Sequence, residues 1–322
     1  MRTLLKPTPL APGATLAIVS PASTPKPDRV QQGIQALEAL GYKTRLYPNA
    51  LNKGPLYFAG DRAERLADLH AAFADPEIDA IICTRGGWGS AELLPHLDLE
   101  MIRANPKPFL GYSDHTSLHT YLLKSLGLVT FYAPMVAADF ARRNGYDQAS
   151  WTHALTGSDP WSLTATDGLR TLRPGTATGQ IVGGCLSIYT ESMGTPYAPN
   201  VYAPDLPNFP TILFLEDIGT KPYQWDRYLL HLRFAGHLAT AQAIVFGDMS
   251  QNIAPGNPED LAFLEAVLLN NLRDFQGPIA IGLRSGHVDA PNITLPLGIQ
   301  AQLDTSDPDN PRLTYLESAV QP

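Results

Sequence analysis

Apolar positions recur along the first third of the chain in two alternating rhythms. Residues 15–20 (TLAIVS) form a short apolar run that reads as a buried strand, and 28–40 carries apolar residues at helical spacing before stopping at Gly41. A second strand is expected over 43–47, an amphipathic helix over 61–73 (DRAERLADLHAAF) and a third strand over 79–84 (DAIICT). The unbroken apolar character of that third run predicts burial on both faces. A fourth strand, 109–112, leads directly into the helical pattern 114–126, which Gly127 ends. Repeated βα units of this kind predict a parallel sheet with helices on both sides. Ligands of such sheets lie beyond the carboxyl ends of the strands, so the loops after strands three and four are where chemistry is expected.

The rhythm is lost from 144 to 178, where Gly157, Pro160, Gly168, Pro174 and Gly175 punctuate the chain, and this stretch reads as a link. Beyond it, strands are expected over 211–215, 243–246 and 279–282, with helices over 223–234 and 260–272. The tail predicts short strands over 294–303 and 312–316, separated by an Asp- and Pro-rich turn. At roughly 150 residues per domain, the 322 residues suggest two domains. The division expected is an N-terminal domain over 1–165, a linker over 166–180 and a mixed α/β C-terminal domain over 181–322. No internal repeat is visible.

Apolar residues make up 44% and charged residues 17% of the chain, which excludes a disordered protein. The 23 basic and 31 acidic residues leave a net charge of −8 with no long basic run, which argues against a phosphate-tracking nucleic-acid binder. Cys83 and Cys185 are too few for a disulfide framework and sit in apolar surroundings, so they are expected to be reduced and buried in a cytoplasmic protein. Pro7, Pro9 and Pro12 interrupt any signal-peptide core, and no run reaches the ~18 apolar residues of a membrane span, so neither export nor membrane insertion is expected.

Three segments invite chemistry. In Gly111-Tyr112-Ser113-Asp114, a serine stands between an apolar strand and a helix, on a tight turn beside helix N-terminal N–H groups. That setting suits a nucleophile whose oxyanion needs donors, although Ser113 or Asp114 could equally cap the helix, and position 115 is His where G-x-S-x-G has Gly. The loop Thr84-Arg85-Gly86-Gly87-Trp88-Gly89-Ser90 matches neither the P-loop nor the G-x-G-x-x-G pattern. It reads either as a plain tight turn or as a loop lending N–H donors beside Ser113. Glu216 and Asp217 end an apolar strand, and strand alternation allows at most one of them into a given site. His287 follows another strand, in a loop. His115 and His119 lie four apart, but no HExxH glutamate or further cluster completes a metal site, and helix polarity accounts for them. Tyr223 and Trp225 fit a core as readily as a substrate contact. Together, Ser113, Glu216 and His287 follow one another in the order nucleophile, acid and histidine, each at a strand end.

The segments TRGGWGS (84–90), GYSDHT (111–116), GGCLS (183–187), GTPY (194–197), LEDIG (215–219) and GHVDAPNITLPLG (286–298) resemble the LD-carboxypeptidase family of serine peptidases. That family includes murein tetrapeptide carboxypeptidases and microcin C immunity proteins, and the likeness runs from the first strand to about Gly298. It implies a flavodoxin-like N-terminal domain, a smaller C-terminal α/β domain and an active site between them. It also implies Ser113 as nucleophile, Glu216 and His287 as its partners, and the N–H groups of Gly87 and Asp114 as the oxyanion hole. The family loop often has Tyr where Trp88 stands, which leaves the glycines untouched.

A homodimer with no metal or organic cofactor is the further expectation. The substrate implied is a murein tetrapeptide losing its terminal D-alanine in the cytoplasm, or alternatively an aminoacyl-sulfamoyl or phosphoramidate adenylate. Arg85 and Arg284 are candidates for holding the substrate's terminal carboxylate. Two readings from other classes are a flavodoxin-like oxidoreductase, which would carry a coloured cofactor, and a binding module for cell-wall fragments.

Overall fold

The computed structural model describes residues 4–157, 160–199, 210–254 and 257–321. The first half builds β1 (Thr15–Val19), α1 (Pro27–Ala39), β2 (Lys43–Leu46), α2 (Arg62–Ala74), β3 (Ala80–Cys83), α3 (Leu99–Ala104), β4 (Phe109–Gly111), α4 (Thr116–Leu126), β5 (Thr130–Tyr132) and α5 (Gln148–Thr156). Local chemistry sets the helix ends. Asp61 and Glu64 exchange side-chain and backbone hydrogen bonds of 2.8 Å at the start of α2, a capping box, and Gly127 closes α4 in the left-handed conformation. The strands lie in the order β12-β5-β4-β3-β1-β2, with β2-β1-β3-β4-β5 all parallel, which is the flavodoxin-like arrangement. The chain is therefore α/β, as its alternating pattern predicts.

The second half adds β6 (Trp161–Thr164), β7 (Arg170–Arg173), β8 (Thr176–Cys185), α6 (Leu186–Glu191), β9 (Thr211–Glu216), α7 (Pro222–Phe234), α8 (His237–Thr240), β10 (Ala241–Gly247), α9 (Pro258–Asn271), β11 (Ile279–Leu283), β12 (Leu295–Leu297), β13 (Gln300–Asp304) and β14 (Arg312–Tyr315). Its mixed sheet runs β6-β14-β13-β8-β9-β10-β11-β7, parallel from β8 to β11 and antiparallel elsewhere. This sheet has eight strands to the first sheet's six among the described residues, so it is the wider of the two. The difference comes from the stretch read as a link: α5, β6 and β7 lie there, and the two strands take up its opposite edges. Residues 294–303 are likewise two strands and not one. β12 pairs antiparallel with β5 in the first sheet, Gly298 turns the chain at φ +100°, and β13 pairs with β8 in the second.

The two sheets share a core. Alternate residues of β9 face opposite ways: Ile212 and Phe214 enter the cluster shared with the first sheet, and Leu213 and Leu215 enter a second cluster against α7 and α9. The same period of two carries Glu216 toward the first sheet and leaves Asp217 outside that row.

Candidate active site

The nucleophile candidate sits on a strained elbow. Ser113 follows β4 with φ +66°, a left-handed conformation that costs a residue with a Cβ about 1–2 kcal/mol. Its backbone N–H donates to the Tyr132 hydroxyl at 3.1 Å, and its carbonyl accepts from Thr116 Oγ1 at 2.7 Å. The elbow lifts the side chain toward the second sheet, where Ser113 Oγ lies 2.9 Å from His287 Nε2. His287 Nδ1 in turn lies 2.9 Å from Glu216 Oε2 and 3.1 Å from Oε1, and the His287 backbone N–H donates to Oε2 at 3.1 Å. An ionised carboxylate only accepts, so Nδ1 carries the ring proton and Nε2 is left to accept from the serine hydroxyl. The three residues predicted to follow one another in sequence are thus joined in space by one line of hydrogen bonds.

Burial and charge oppose each other along that line. Burial lowers the His287 pKa, but the adjoining Glu216 carboxylate overrides it and the net shift is upward. For Glu216, burial favours the neutral acid, while His287 and the Tyr132 hydroxyl favour the carboxylate, and the net shift is downward. Asp217 stands outside the hydrogen-bond line: its two oxygens accept from Ser187 N–H and Ile218 N–H, both at 2.8 Å, capping α6 and the following turn, and it reaches His287 only through its charge. Strand alternation therefore separates the two acids as expected.

The glycine loop after β3 lies directly beside the elbow. A Cβ on Gly86 would stand 2.8 Å from Ser113 Cβ and 2.9 Å from its Oγ. Gly87 adopts φ +114°, and a Cβ there would meet Ser23 Oγ at 2.3 Å. The two residues after Ser113 clasp both ends of this loop. Asp114 Oδ2 accepts from Ser90 N–H at 2.8 Å. His115 Nε2 donates to the Arg85 carbonyl at 3.0 Å, which leaves Nδ1 to accept from Ser90 Oγ at 2.9 Å. Burial pushes the His115 pKa down to about 3, so the ring stays neutral and keeps that single tautomer. Arg65, buried beneath the loop, donates to the carbonyls of Pro21 and Gly89 at 2.8 Å.

His119 is committed to the Gly111 carbonyl at 2.8 Å, and no group of three or more His, Cys, Asp or Glu suited to a metal occurs among the described residues. Trp225 is fully buried in the second core, and Tyr223 is exposed on α7. Arg284 reaches the Thr166 carbonyl at 2.6 Å and Asp167 at 3.8 Å, while Arg85 is exposed on the glycine loop. Cys83 and Cys185 are free and buried. No described helix is long and apolar enough to cross a membrane.

Sequence reasoning passed over three residues. Tyr132 lies in an apolar run (LVTFYAPM) and reads as core, which its ring is. Asp139 and Asn292 brace the histidine loop: Asn292 Oδ1 accepts from Gly286 N–H at 3.0 Å, and its Nδ2 donates to Gly286 O at 3.1 Å and to Asp139 Oδ1 at 3.3 Å. The Asn in GHVDAPN, six residues after a glycine turn, was the available signal for that brace.

Known proteins resemble this chain over almost its whole length. Residues 16–133 match the LD-carboxypeptidase N-terminal domain and residues 178–303 match the LD-carboxypeptidase C-terminal domain. A Bacillus subtilis (strain 168) protein named probable murein peptide carboxypeptidase is 36% identical over 304 residues, spanning 94% of this chain and 92% of its own. The microcin C7 self-immunity protein MccF of Escherichia coli is 27% identical, spanning 96% of this chain and 95% of its own. The solved muramoyltetrapeptide carboxypeptidase from Oxalobacter formigenes superposes with a TM-score of 0.81 at 28% identity, over 95% of this chain and 99% of that one. MccF in complex with aspartyl sulfamoyl adenosine superposes with a TM-score of 0.82 at 25% identity, over 98% and 100%.

Proposed function

This chain is a serine carboxypeptidase of the LD-carboxypeptidase family, and from that premise we propose that it removes the terminal D-alanine of murein tetrapeptides through an acyl-enzyme on Ser113. The observation that carries the reading is the unbroken hydrogen-bond line from Ser113 Oγ through His287 to Glu216 at the carboxyl ends of the strands. His287 Nε2 takes the serine proton as Oγ attacks the carbonyl of the L,D bond, and then gives it to the departing D-alanine amine. Glu216 holds the proton on Nδ1 and stabilises the imidazolium. The Ser113 N–H is engaged with Tyr132, so the elbow's donor to the oxyanion is Asp114 N–H, with Gly87 N–H as the second donor from the loop. A water activated by His287 then releases the shortened peptide. Arg85, exposed on the loop, is the cation for the substrate's terminal carboxylate.

This reading divides the machinery between a domain over 1–165 and one over 181–322, joined through 166–180. It places the enzyme in cytoplasmic peptidoglycan recycling, as a homodimer. The second reading is cleavage of an aminoacyl-sulfamoyl or phosphoramidate adenylate, which the likeness to MccF favours. Two facts favour the peptide. Identity to the murein peptide carboxypeptidase is higher, at 36% against 27%, and three of the four tryptophans that could stack on a nucleobase are buried, leaving Trp88.

The test is mass spectrometry of L-Ala-γ-D-Glu-meso-diaminopimelyl-D-Ala incubated with the protein and with Ser113→Ala. Loss of one alanine with the wild type alone is the expected result. An intact tetrapeptide alongside a cleaved aminoacyl-sulfamoyl adenosine would replace the first reading with the second.

A further inference from the structure

One hydroxyl joins the two halves of the catalytic line. Tyr132 ends β5 in the first sheet with its ring fully buried, packed edge-on against Phe214 of the second sheet at 5.5 Å and against Tyr112 at 5.9 Å. Phenylalanine would satisfy that packing. The hydroxyl makes two further contacts, and their polarity is fixed by the partners. The Ser113 N–H can only donate, so the phenol oxygen accepts from it at 3.1 Å. The Glu216 carboxylate can only accept, so the phenol proton goes to its Oε1. Without this donor, Oε1 keeps only its 3.1 Å share of His287 Nδ1.

We propose that Tyr132 is a positioning residue whose hydroxyl fixes the nucleophile's backbone against Glu216 and holds down the basicity of the Glu216–His287 pair. The inference rests on the reading of Ser113, His287 and Glu216 as the reacting set. Its electrostatic half follows from sharing: a carboxylate that also binds a phenol pulls less strongly on the imidazolium. The other groups facing His287 are Asp217 beside Glu216, the Asp139–Arg142 ion pair, and the Tyr112 ring edge-on at 5.2 Å, with Cys185 next to Glu216. Of these, the Tyr112 ring packs on Tyr132, and phenylalanine at 132 keeps that ring contact. Burial and the nearby Glu216 charge hold the Tyr132 pKa well above its ordinary value, so the phenol remains a donor throughout.

The experiment measures the rate at which a fluorophosphonate probe labels Ser113 in the full chain, as a function of pH. Labelling needs neutral His287 and no peptide substrate. Tyr132→Phe is expected to label about 10- to 100-fold more slowly on the plateau, since the serine loses its anchor. Its acid limb is expected about one pH unit higher, because His287 becomes more basic. Replacing Tyr132 by 3-fluorotyrosine, whose phenol is the stronger donor, is expected to move the limb the opposite way and keeps the hydroxyl if the Phe variant does not fold. Thr116→Val serves as comparator, because Thr116 Oγ1 also spans the sheets by accepting from Cys185 N–H at 3.0 Å without touching Glu216. Because Thr116 also donates to the Ser113 carbonyl, the variant is expected to lower the melting temperature and slow the plateau while leaving the limb in place.

A limb that stays at the wild-type pH in both Tyr132 variants overturns the inference, whatever the plateau does. A wild-type protein that the probe does not label overturns the triad reading beneath it.

Discussion

The Ser113 elbow and the Glu216–His287 pair are built on different principles. Around Ser113 the fixing contacts run mainly to backbone groups: its own N–H and carbonyl held by Tyr132 and Thr116, and a glycine loop clasped by the Asp114 carboxyl and by His115, a histidine whose pKa is driven down to about 3. At the end of β9 the contacts are ionic: a Glu216 carboxylate held ionised, and a His287 whose pKa is driven up. Two buried histidines therefore have opposite fates according to what faces them. His115 meets a carbonyl and a hydroxyl, and His287 meets a carboxylate. One half fixes geometry and the other sets charge, and each can be broken separately.

The largest effect comes from cutting the line between the halves. Ser113→Ala and His287→Ala should each reduce kcat on the order of 10⁶-fold, and the double variant should lose no more than either alone. Steady-state kinetics of the three proteins decides this, and additive losses would show that the residues do not act as a unit. Glu216→Gln should reduce kcat by about 10⁴-fold. The Glu216 charge is what raises the His287 pKa, so its removal lowers that pKa and the acid limb of the residual activity should move to lower pH. The smallest effect is in the clasp. Ser90→Ala removes one hydrogen bond from His115 and should reduce kcat about tenfold, the order of ~1 kcal/mol, with KM and the pH limb unchanged.

Much of the first sheet was legible because its strands are short apolar runs and its helices have recognisable ends: Asp61 with Glu64, Gly41, Gly127. What was illegible was long-range pairing. β8 is rich in Thr and Gly, and its register with β9, which sets Cys185 against Glu216, is decided by partners distant in sequence. β6 and β7 carry little periodic signal, because each is a four-residue edge strand. In the candidate site, the elbow and the pair of strand-end acids could be read from local pattern, and alternation limited the site to one of the two acids without saying which. The histidine needed the family likeness, since one loop histidine has no pattern of its own. Tyr132 was invisible for a different reason: its ring obeys the core pattern while its hydroxyl does something the pattern does not encode.

β12 is synthesised long after the sheet it completes. As the chain leaves a ribosome, five parallel strands can assemble while the outer edge of β5 waits for Leu295 and Leu297. An unpaired edge is a template for strands of other nascent chains, so chaperone demand should concentrate on this interval of translation. Any division of the polypeptide between Tyr132 and Leu295 would also leave two fragments that must meet through that edge, which makes the position a natural place to render the hydrolase conditional on reassembly.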